Sequence, residues 1–210
     1  MNRSILSKLF FKHFAWGISI LLHPLLMPFL GVYIILNSGN LYLLSAEGKN
    51  IILTITILST FVIPIAFIPF FYFQKLTSSF ILSDKQERIL PLIVTASLYY
   101  LSFYLFRRIG VPLFIQAFQL ASTLAVIVTL LITLKWKVSA HLVGIGGIIG
   151  LILILSLSYH FNLFLYLVTA SFLAGCIGFA RLSLNEHTPG QVYVGLAIGL
   201  LIMTGTLVLF

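Results

Sequence analysis

Acidic side chains are scarce in this chain. Of its 210 residues, four are Asp or Glu and twelve are Lys or Arg, and charged residues make up 8% of the total. Soluble domains carry about 25% charged residues, so the composition excludes an ordinary soluble protein. Four carboxylates are also too few for a dinuclear metal site, and there is no His-x-x-x-His pair, so we expect neither a metal nor another cofactor.

Cysteine is nearly absent as well. Cys176 is the single one, so no intramolecular disulfide can form, and its place beside Gly175 is typical of a small packing residue. Polar linkers and internal repeats are also lacking, which indicates one integral membrane domain over residues 1–210. The basic residues stand at the ends of apolar runs, where they orient a membrane protein, so we expect no nucleic-acid partner.

What the chain has is hydrophobic length, since 60% of its residues are hydrophobic. About twenty apolar residues cross a bilayer as a helix. Seven windows approach or exceed that length: 14–37, 51–73, 90–106, 112–134, 138–159, 162–180 and 190–210. No window shows the alternation of a barrel strand, so the spans must be helices. We predict an all-α, polytopic transmembrane bundle of six to seven spans, preceded by a basic interfacial segment at residues 1–13.

Proline and glycine predict features within the spans. Kinks or helix ends are expected at Pro24, Pro28, Pro64 and Pro69. Small-xxx-small pairs, which let helices approach closely, are Gly146 with Gly150 and Gly195 with Gly199. The window 90–106 is short and Tyr-rich, so we expect it to be tilted or partly interfacial.

Counting the crossings places the connecting segments on two sides of the membrane. Segments 1–13, 74–89, 135–138 and 181–189 share one side, and segments 38–50, 107–111 and 160–161 share the other. Three polar clusters fall on the first side. In chain order they carry Lys85 and Arg88, then Ser139 and His141, then Arg181, His187 and Gln191.

Such a set suits phosphoryl transfer if the helices bring it together. Cations stabilise the negative charge that spreads over the transferring phosphoryl oxygens. Histidine can attack phosphorus or protonate the leaving oxygen near neutral pH, and a phosphohistidine route needs one histidine for each task.

Several of these residues also have simpler interpretations. Lys135 and Lys137 are expected to be orientation signals. Lys85 and Arg88 are offset by Asp84 and Glu87, so a salt-bridged interfacial turn also explains them. The remaining histidines, His13, His23 and His160, are expected to have structural roles.

The order and spacing of the three clusters resembles the type 2 phosphatidic acid phosphatase superfamily. Its pattern is Lys, six residues, Arg-Pro; then Pro-Ser-Gly-His; then Ser-Arg, five residues, His, three residues, Asp. The third motif matches best, because Arg181, His187 and Gln191 keep its spacing. The second matches partly, as VSAH, and the first matches least, because two residues separate Lys85 from Arg88. The resemblance covers residues 84–200.

This resemblance implies a catalytic core like that of the superfamily and a metal-independent lipid phosphate phosphatase. His187 would be the nucleophile that forms a phosphoenzyme, and His141 the acid that protonates the leaving group. The residues implied to bind phosphate are Lys85, Arg88, Ser139 and Arg181. The implied substrate is a lipid mono- or diphosphate such as phosphatidic acid, phosphatidylglycerophosphate or polyprenyl diphosphate.

The chain departs from the pattern in ways that bear on activity. Gln191 replaces the third motif's Asp, so it can fix the tautomer of His187 but gives less electrostatic help. Ala140 replaces the second motif's Gly, and Ala180 replaces the third motif's Ser. Glu186 is expected to point elsewhere on a helix.

Two other classes of function stay open. One is a non-catalytic lipid-phosphate carrier or scaffold of the same fold. The other is a solute transporter, which more often shows broken helices or polar residues in mid-span.

The Lys and Arg count favours the side that carries the polar clusters by nine to three, and by six to three without Lys85, Arg88 and Arg181. The positive-inside rule then predicts a cytoplasmic site in an integral protein of the bacterial inner membrane. Bacterial relatives in the resembled superfamily often face the periplasm, so the side stays open. The sequence does not indicate an oligomeric state.

Overall fold

A computed structural model describes residues 3–38, 44–77, 85–158 and 160–210, with side chains from residue 11 onward. Every regular element in these ranges is helical. The helices are α1 (Arg3–Leu21), α2 (Met27–Asn37), α3 (Ala46–Ile57), α4 (Ile63–Phe73), α5 (Ile89–Arg108), α6 (Leu113–Thr133), α7 (Ala140–Ser158), α8 (Phe164–Ser183) and α9 (Pro189–Leu209). Two 3₁₀ turns, Pro24–Leu26 and Gln86–Arg88, and a π-helical turn, Leu58–Val62, adjoin them.

Within the described residues, seven helical stretches are long and apolar enough to cross a membrane, which confirms the upper count predicted from the sequence. They are Phe11–Asn37, Ala46–Phe73, Gln86–Arg108, Leu113–Thr133, Ala140–Ser158, Phe164–Ser183 and Pro189–Leu209. The third is 23 residues long, so the prediction of a short segment was wrong. Its arginines at both ends lower the hydropathy of residues that are nevertheless helical.

The first span is broken in its middle. α1 ends at Leu21 and α2 begins at Met27, with the 3₁₀ turn Pro24–Leu26 between them. Pro24 has no backbone N–H to continue α1. The His23 ring stabilises the turn by accepting the Leu25 N–H through Nδ1 at 3.3 Å. The kink predicted at Pro24 is thus a complete break, and it leaves carbonyl groups at the end of α1 without helical donors.

The second span is irregular but continuous. Its π-helical turn Leu58–Val62 joins α3 to α4, and Pro64 stands in the first turn of α4. The Tyr99 hydroxyl of α5 donates to the Thr60 carbonyl in this turn at 3.4 Å. The irregularity predicted at Pro64 is therefore confirmed, and it ties α5 to the second span.

α7 is the most buried span, with 61% of its most apolar window inside the bundle. It packs against α9 through the predicted glycine pairs. A Cβ added to Gly195 would lie 2.7 Å from the Ser139 carbonyl oxygen, and one added to Gly199 would overlap the Val143 carbonyl. Only glycine permits this approach, which seats the start of α9 against the start of α7.

Candidate functional site

A cavity of about 670 Å³ lies among α1, α4, α5, α6 and α7, close to the segment that joins α8 to α9. Residues from all three polar clusters line it: Arg88, His141, Arg181 and His187. The prediction that distant segments of the chain meet at one place is therefore confirmed for these four side chains. Lys12 of α1 lines the same cavity.

Three cations, Arg88, Lys137 and Arg181, surround the carboxylate of Glu186 and are called the cation cluster here. Oε2 of Glu186 lies 3.9 Å from Arg88, 3.5 Å from Lys137 and 3.6 Å from Arg181. The expectation that Glu186 lies on a helix was wrong, although its carboxylate does point away from the Nδ1 of His187, which Gln191 contacts instead. α8 ends at Ser183, and the turn that follows bonds the Glu186 N–H to the Arg181 carbonyl at 3.2 Å. The carboxylate thereby returns to the arginine five residues earlier.

Lys137 belongs to this cluster, although the sequence was interpreted as giving it only an orienting role. Burial is the main cause that lowers the pKa of its ammonium group, and the charge of Arg88 adds to that effect, while Glu186 opposes it. Cations from the segment before α5, the segment between α6 and α7, and the end of α8 thus reach the same carboxylate. The proximity of Lys137 to Ser139 in the sequence is the signal that could have identified it.

His187 is held by Gln191, as the third motif predicts. Nδ1 of His187 lies 3.0 Å from Oε1 of Gln191, and the same oxygen accepts the Thr188 N–H at 3.2 Å. Because an amide oxygen can only accept, Nδ1 must carry the proton of the neutral ring. Nε2 then keeps its lone pair, and among the described residues it has no hydrogen-bond partner.

The surroundings of His187 keep its ring neutral. Burial is the largest cause that lowers its pKa, followed by the positive charges of Arg88 and Arg181, and the pKa falls to about 3. The hydrogen bond with Gln191 acts in the opposite direction but is outweighed. The buried ring therefore carries an unprotonated Nε2 at neutral pH.

His141 is oriented by the break in the first span. Its Nε2 lies 3.0 Å from the backbone carbonyl oxygen of Ser19, near the end of α1. Since a carbonyl only accepts, Nε2 carries the proton and Nδ1 of the neutral ring does not. His141 can therefore donate a proton from Nδ1 only when the ring holds two protons, and the Ser19 carbonyl then faces the positive charge.

His23, which has the structural role expected for it in the turn Pro24–Leu26, also lines the cavity. Its ring meets the ring of His141 edge to face, with centroids 5.7 Å apart and planes at 71°. A histidine followed by proline in mid-span was the available signal, because ionisable residues inside a membrane are by default candidates for function.

Two predicted phosphate ligands do not line the cavity. Nζ of Lys85 donates to the Lys135 carbonyl at 3.4 Å and is exposed. Ser139 is 0% exposed and lies between α7 and α9, where its N–H donates to the Gln191 carbonyl at 3.3 Å. Its Oγ has no hydrogen-bond partner among the described residues. Asp84, predicted to offset Lys85 and Arg88, lies outside the described residues.

Arg181 retains an unused donor. Its Nε is buried without a hydrogen-bond partner in the described part of the chain, although its guanidinium pairs with Glu186. A buried charged donor left in this state costs free energy unless a ligand accepts from it. Across the described ranges, no three His, Cys, Asp or Glu side chains are grouped as metal ligands would be.

No family model matches the chain, and comparisons with curated proteins and with solved structures found no match.

Proposed function

We propose that the protein is a membrane-embedded lipid phosphate phosphatase that acts through a phosphohistidine. The observation that carries the proposal is the contact of His187 Nδ1 with Gln191 Oε1, which leaves Nε2 unprotonated, in a ring whose pKa is lowered by the nearby charges of Arg88, Arg181 and Lys137. A nucleophile of this kind needs a lone pair at the attacking nitrogen and positive charge around the phosphoryl oxygens. The substrate is a lipid mono- or diphosphate of the phosphatidic acid, phosphatidylglycerophosphate or polyprenyl diphosphate class.

In the first step, Nε2 of His187 attacks phosphorus and forms a P–N bond. The P–O bond to the lipid breaks, and its electron pair stays on the lipid oxygen. The resting His141 ring is neutral, so its Nδ1 first takes a proton from the monoprotonated phosphate of the bound lipid. It then gives this proton to the lipid oxygen and becomes neutral again, while its Nε2–H remains on the Ser19 carbonyl. Arg88 and Arg181, which line the cavity, bind the equatorial oxygens, and Lys137 adds positive charge through its ion pair with Glu186.

In the second step, water attacks the phosphohistidine and the P–N bond breaks. The electron pair returns to Nε2 of His187, and Nδ1 of His141 accepts a proton from the attacking water. His141 then returns that proton to the phosphate, which leaves as dihydrogen phosphate, so both rings are neutral again. Gln191 holds His187 in one tautomer throughout, whereas a carboxylate would also have balanced charge on the ring.

Glu186 has a supporting task in this scheme. Three cations within 4 Å of one point repel one another, and its carboxylate holds them together before substrate arrives. The catalytic core is proposed to resemble the type 2 phosphatidic acid phosphatase superfamily over residues 84–200. We place the protein in the bacterial inner membrane with this site on the cytoplasmic side, because Lys and Arg are more numerous there.

The test is phosphate release by purified protein in phosphatidylcholine nanodiscs, with each of the three lipid classes and no added metal. His187→Ala and His141→Ala should each reduce turnover at least a thousandfold. The matched control is His160→Asn, at a residue in the loop after α7 with φ of 54°, a conformation that Asn tolerates. Equal release by wild type and His187→Ala would refute the phosphohistidine route.

A second candidate is a lipid-phosphate carrier without turnover. The observation that favours it is the break at Pro24–Leu26, since transporters form substrate sites at broken helices. A carrier would bind phosphatidic acid and release no phosphate from any of the three lipid classes. It would also move a fluorescent phosphatidic acid between the leaflets of a vesicle.

A further inference from the structure

The cavity extends from the cation cluster far into the bundle. On α6 its lining runs from Thr133 to Phe118, which are fifteen positions or about 22 Å apart along the helix. On α5 it runs from Arg88 to Tyr99. The hydrocarbon core of a bilayer is about 30 Å thick, so the cavity passes the middle of the membrane.

The deep part of the cavity is lined by small residues and is mostly apolar. Facing sides of α6 and α7 present small residues, among them Ala125, Gly144 and Gly147. The Ser and Thr hydroxyls that α5 and α6 contribute to this wall bond back to carbonyls of their own helices, as Ser122 does to Phe118 at 3.0 Å and Thr129 to Ala125 at 2.7 Å. Water needs two to four polar partners to be held in a cavity, and these groups are already engaged.

The cavity is not closed on the side of α1. Trp16 and Ile20 of α1 line it and are 42% and 59% exposed, so other helices do not cover them. Because α1 belongs to a stretch long and apolar enough to cross a membrane, an opening beside it would face lipid. The same cavity therefore joins the cation cluster at one end and the membrane interior at its side.

We propose that one hydrocarbon chain of a phosphate-bearing lipid lies inside the bundle along α6 and α7, with its headgroup at Arg88 and Arg181. This proposal rests on the proposed function for the headgroup only. The second hydrocarbon chain of the same lipid passes out through the opening beside α1 and lies in the bilayer. Phe118 and Met203 line the deep part of the site and limit the length of the enclosed chain.

The enclosed hydrocarbon chain therefore contributes to selectivity among lipids and adds little to the binding affinity. Lipid tails are as apolar as leucine, so a chain that moves from bilayer to cavity gains no hydrophobic free energy. What it gains is close packing in a space that would otherwise be empty, and this depends on length and width. The charged headgroup provides the attraction.

Photo-crosslinking tests the site without requiring turnover. The probe is phosphatidic acid with a diazirine at the end of one acyl chain, in phosphatidylcholine nanodiscs. Phosphatidylcholine with the same labelled chain serves as the comparison lipid. The phosphatidic acid probe should label α6 around Phe118 and α7 around Gly147 at least tenfold more than the phosphatidylcholine probe does. Equal labelling by the two probes, or labelling confined to outward residues of α6, would overturn the proposal.

Two variants of α6 form a matched pair. Ala125→Leu fills the cavity and should reduce deep labelling at least tenfold. Leu131→Phe adds similar bulk at a position that is 58% exposed and should not change it. If Ala125→Leu does not fold, Gly147→Ala replaces it, because the added Cβ would meet Met203 at an ordinary 3.5 Å. Undiminished deep labelling in the cavity variant would refute the site.

The two proposals fail separately. Deep labelling without phosphate release would refute the phosphatase and retain the chain site. Phosphate release with labelling only on the outer surface would refute the chain site and retain the phosphatase.

Discussion

At the scale of single residues, the chemistry depends on which nitrogen of each histidine carries the proton. Gln191 and the Thr188 N–H place the proton of His187 on Nδ1, and the Ser19 carbonyl places that of His141 on Nε2. The two rings are therefore prepared for different tasks, one with an unprotonated Nε2 and one with an unprotonated Nδ1. The partner of His187 lies four residues along the chain, whereas that of His141 comes from a distant helix.

The first prediction concerns the ionisation of His187. Nitrogen NMR of ring-labelled protein should show a neutral ring with Nδ1–H from pH 8 down to pH 5, because its pKa lies at about 3. Between pH 6.5 and 3 the unfolded chain binds a proton that folded His187 does not, so this residue lowers stability as pH falls through that window. Arg88→Gln removes a charge that lowers this pKa and should raise it. Protonation of His187 near pH 6.5 in the wild type would contradict the lowering of its pKa by burial.

The second prediction separates the two effects of the residue at position 191. Gln191→Leu removes the acceptor that fixes the tautomer, and phosphoenzyme formation should fall about a hundredfold or more. Gln191→Glu keeps an acceptor and adds the negative charge that the resembled motif supplies, so its rate should equal or exceed that of the wild type. Rapid-quench trapping of the phosphoenzyme measures both. If the leucine variant matches the wild type, Gln191 does not orient His187.

Sequence spacing identified Arg181, His187 and Gln191 because a loop followed by a helix start keeps these residues close in space. It wrongly placed Glu186 on a helix, because spacing alone does not show that α8 ends at Ser183. It also missed Lys137, whose role depends on how far the segment after α6 folds back toward α8. Contacts of this kind are decided by loop geometry, which periodicity does not encode.

At the scale of elements, irregular helices do as much as regular ones. The break at Pro24–Leu26 leaves the Ser19 carbonyl available to His141, and the π-helical turn at Leu58–Val62 presents the Thr60 carbonyl to Tyr99. Proline in the sequence predicted irregularity at both places. It did not predict whether the helix would bend or stop, because that depends on which neighbours accept the freed backbone groups.

The third prediction concerns the contact between α7 and α9. Gly199→Ala places a Cβ against the Val143 carbonyl, so the two helices must separate. We expect a loss of about 1–3 kcal/mol, seen as a lower midpoint of thermal unfolding in detergent. Gly205→Ala in the same helix is the control, since a Cβ there meets nothing within 4 Å. Its midpoint should stay the same or rise slightly, because alanine favours a helix over glycine. Equal midpoints for the two variants would show that the close approach is not required.

At the scale of the whole molecule, the number of spans decides which segments can meet. Seven crossings return the segments before α5, after α6 and after α8 to one end of the bundle, and the cavity lined by Arg88, His141, Arg181 and His187 fits this arrangement. Hydropathy gave the number of crossings. It could not give the neighbours of each helix, and so it could not distinguish His23, which lines the cavity, from a histidine that only packs.

The fourth prediction concerns the side of the membrane that carries the site. In a Cys176→Ser background, Ser158→Cys and Ser183→Cys are isosteric probes at exposed residues that end α7 and α8. A membrane-impermeant maleimide added to intact cells should label position 158, and it should label position 183 only after permeabilisation, because the basic end of the bundle faces the cytoplasm. The reverse pattern would place the cation cluster outside the cell. Arg88, Lys137 and Arg181 would then be present as ligands, and they would have to be left out of the Lys and Arg count that predicts orientation. Labelling of both positions from one side is a different failure, since a single crossing by α8 separates them, and it would refute the seven-span topology itself.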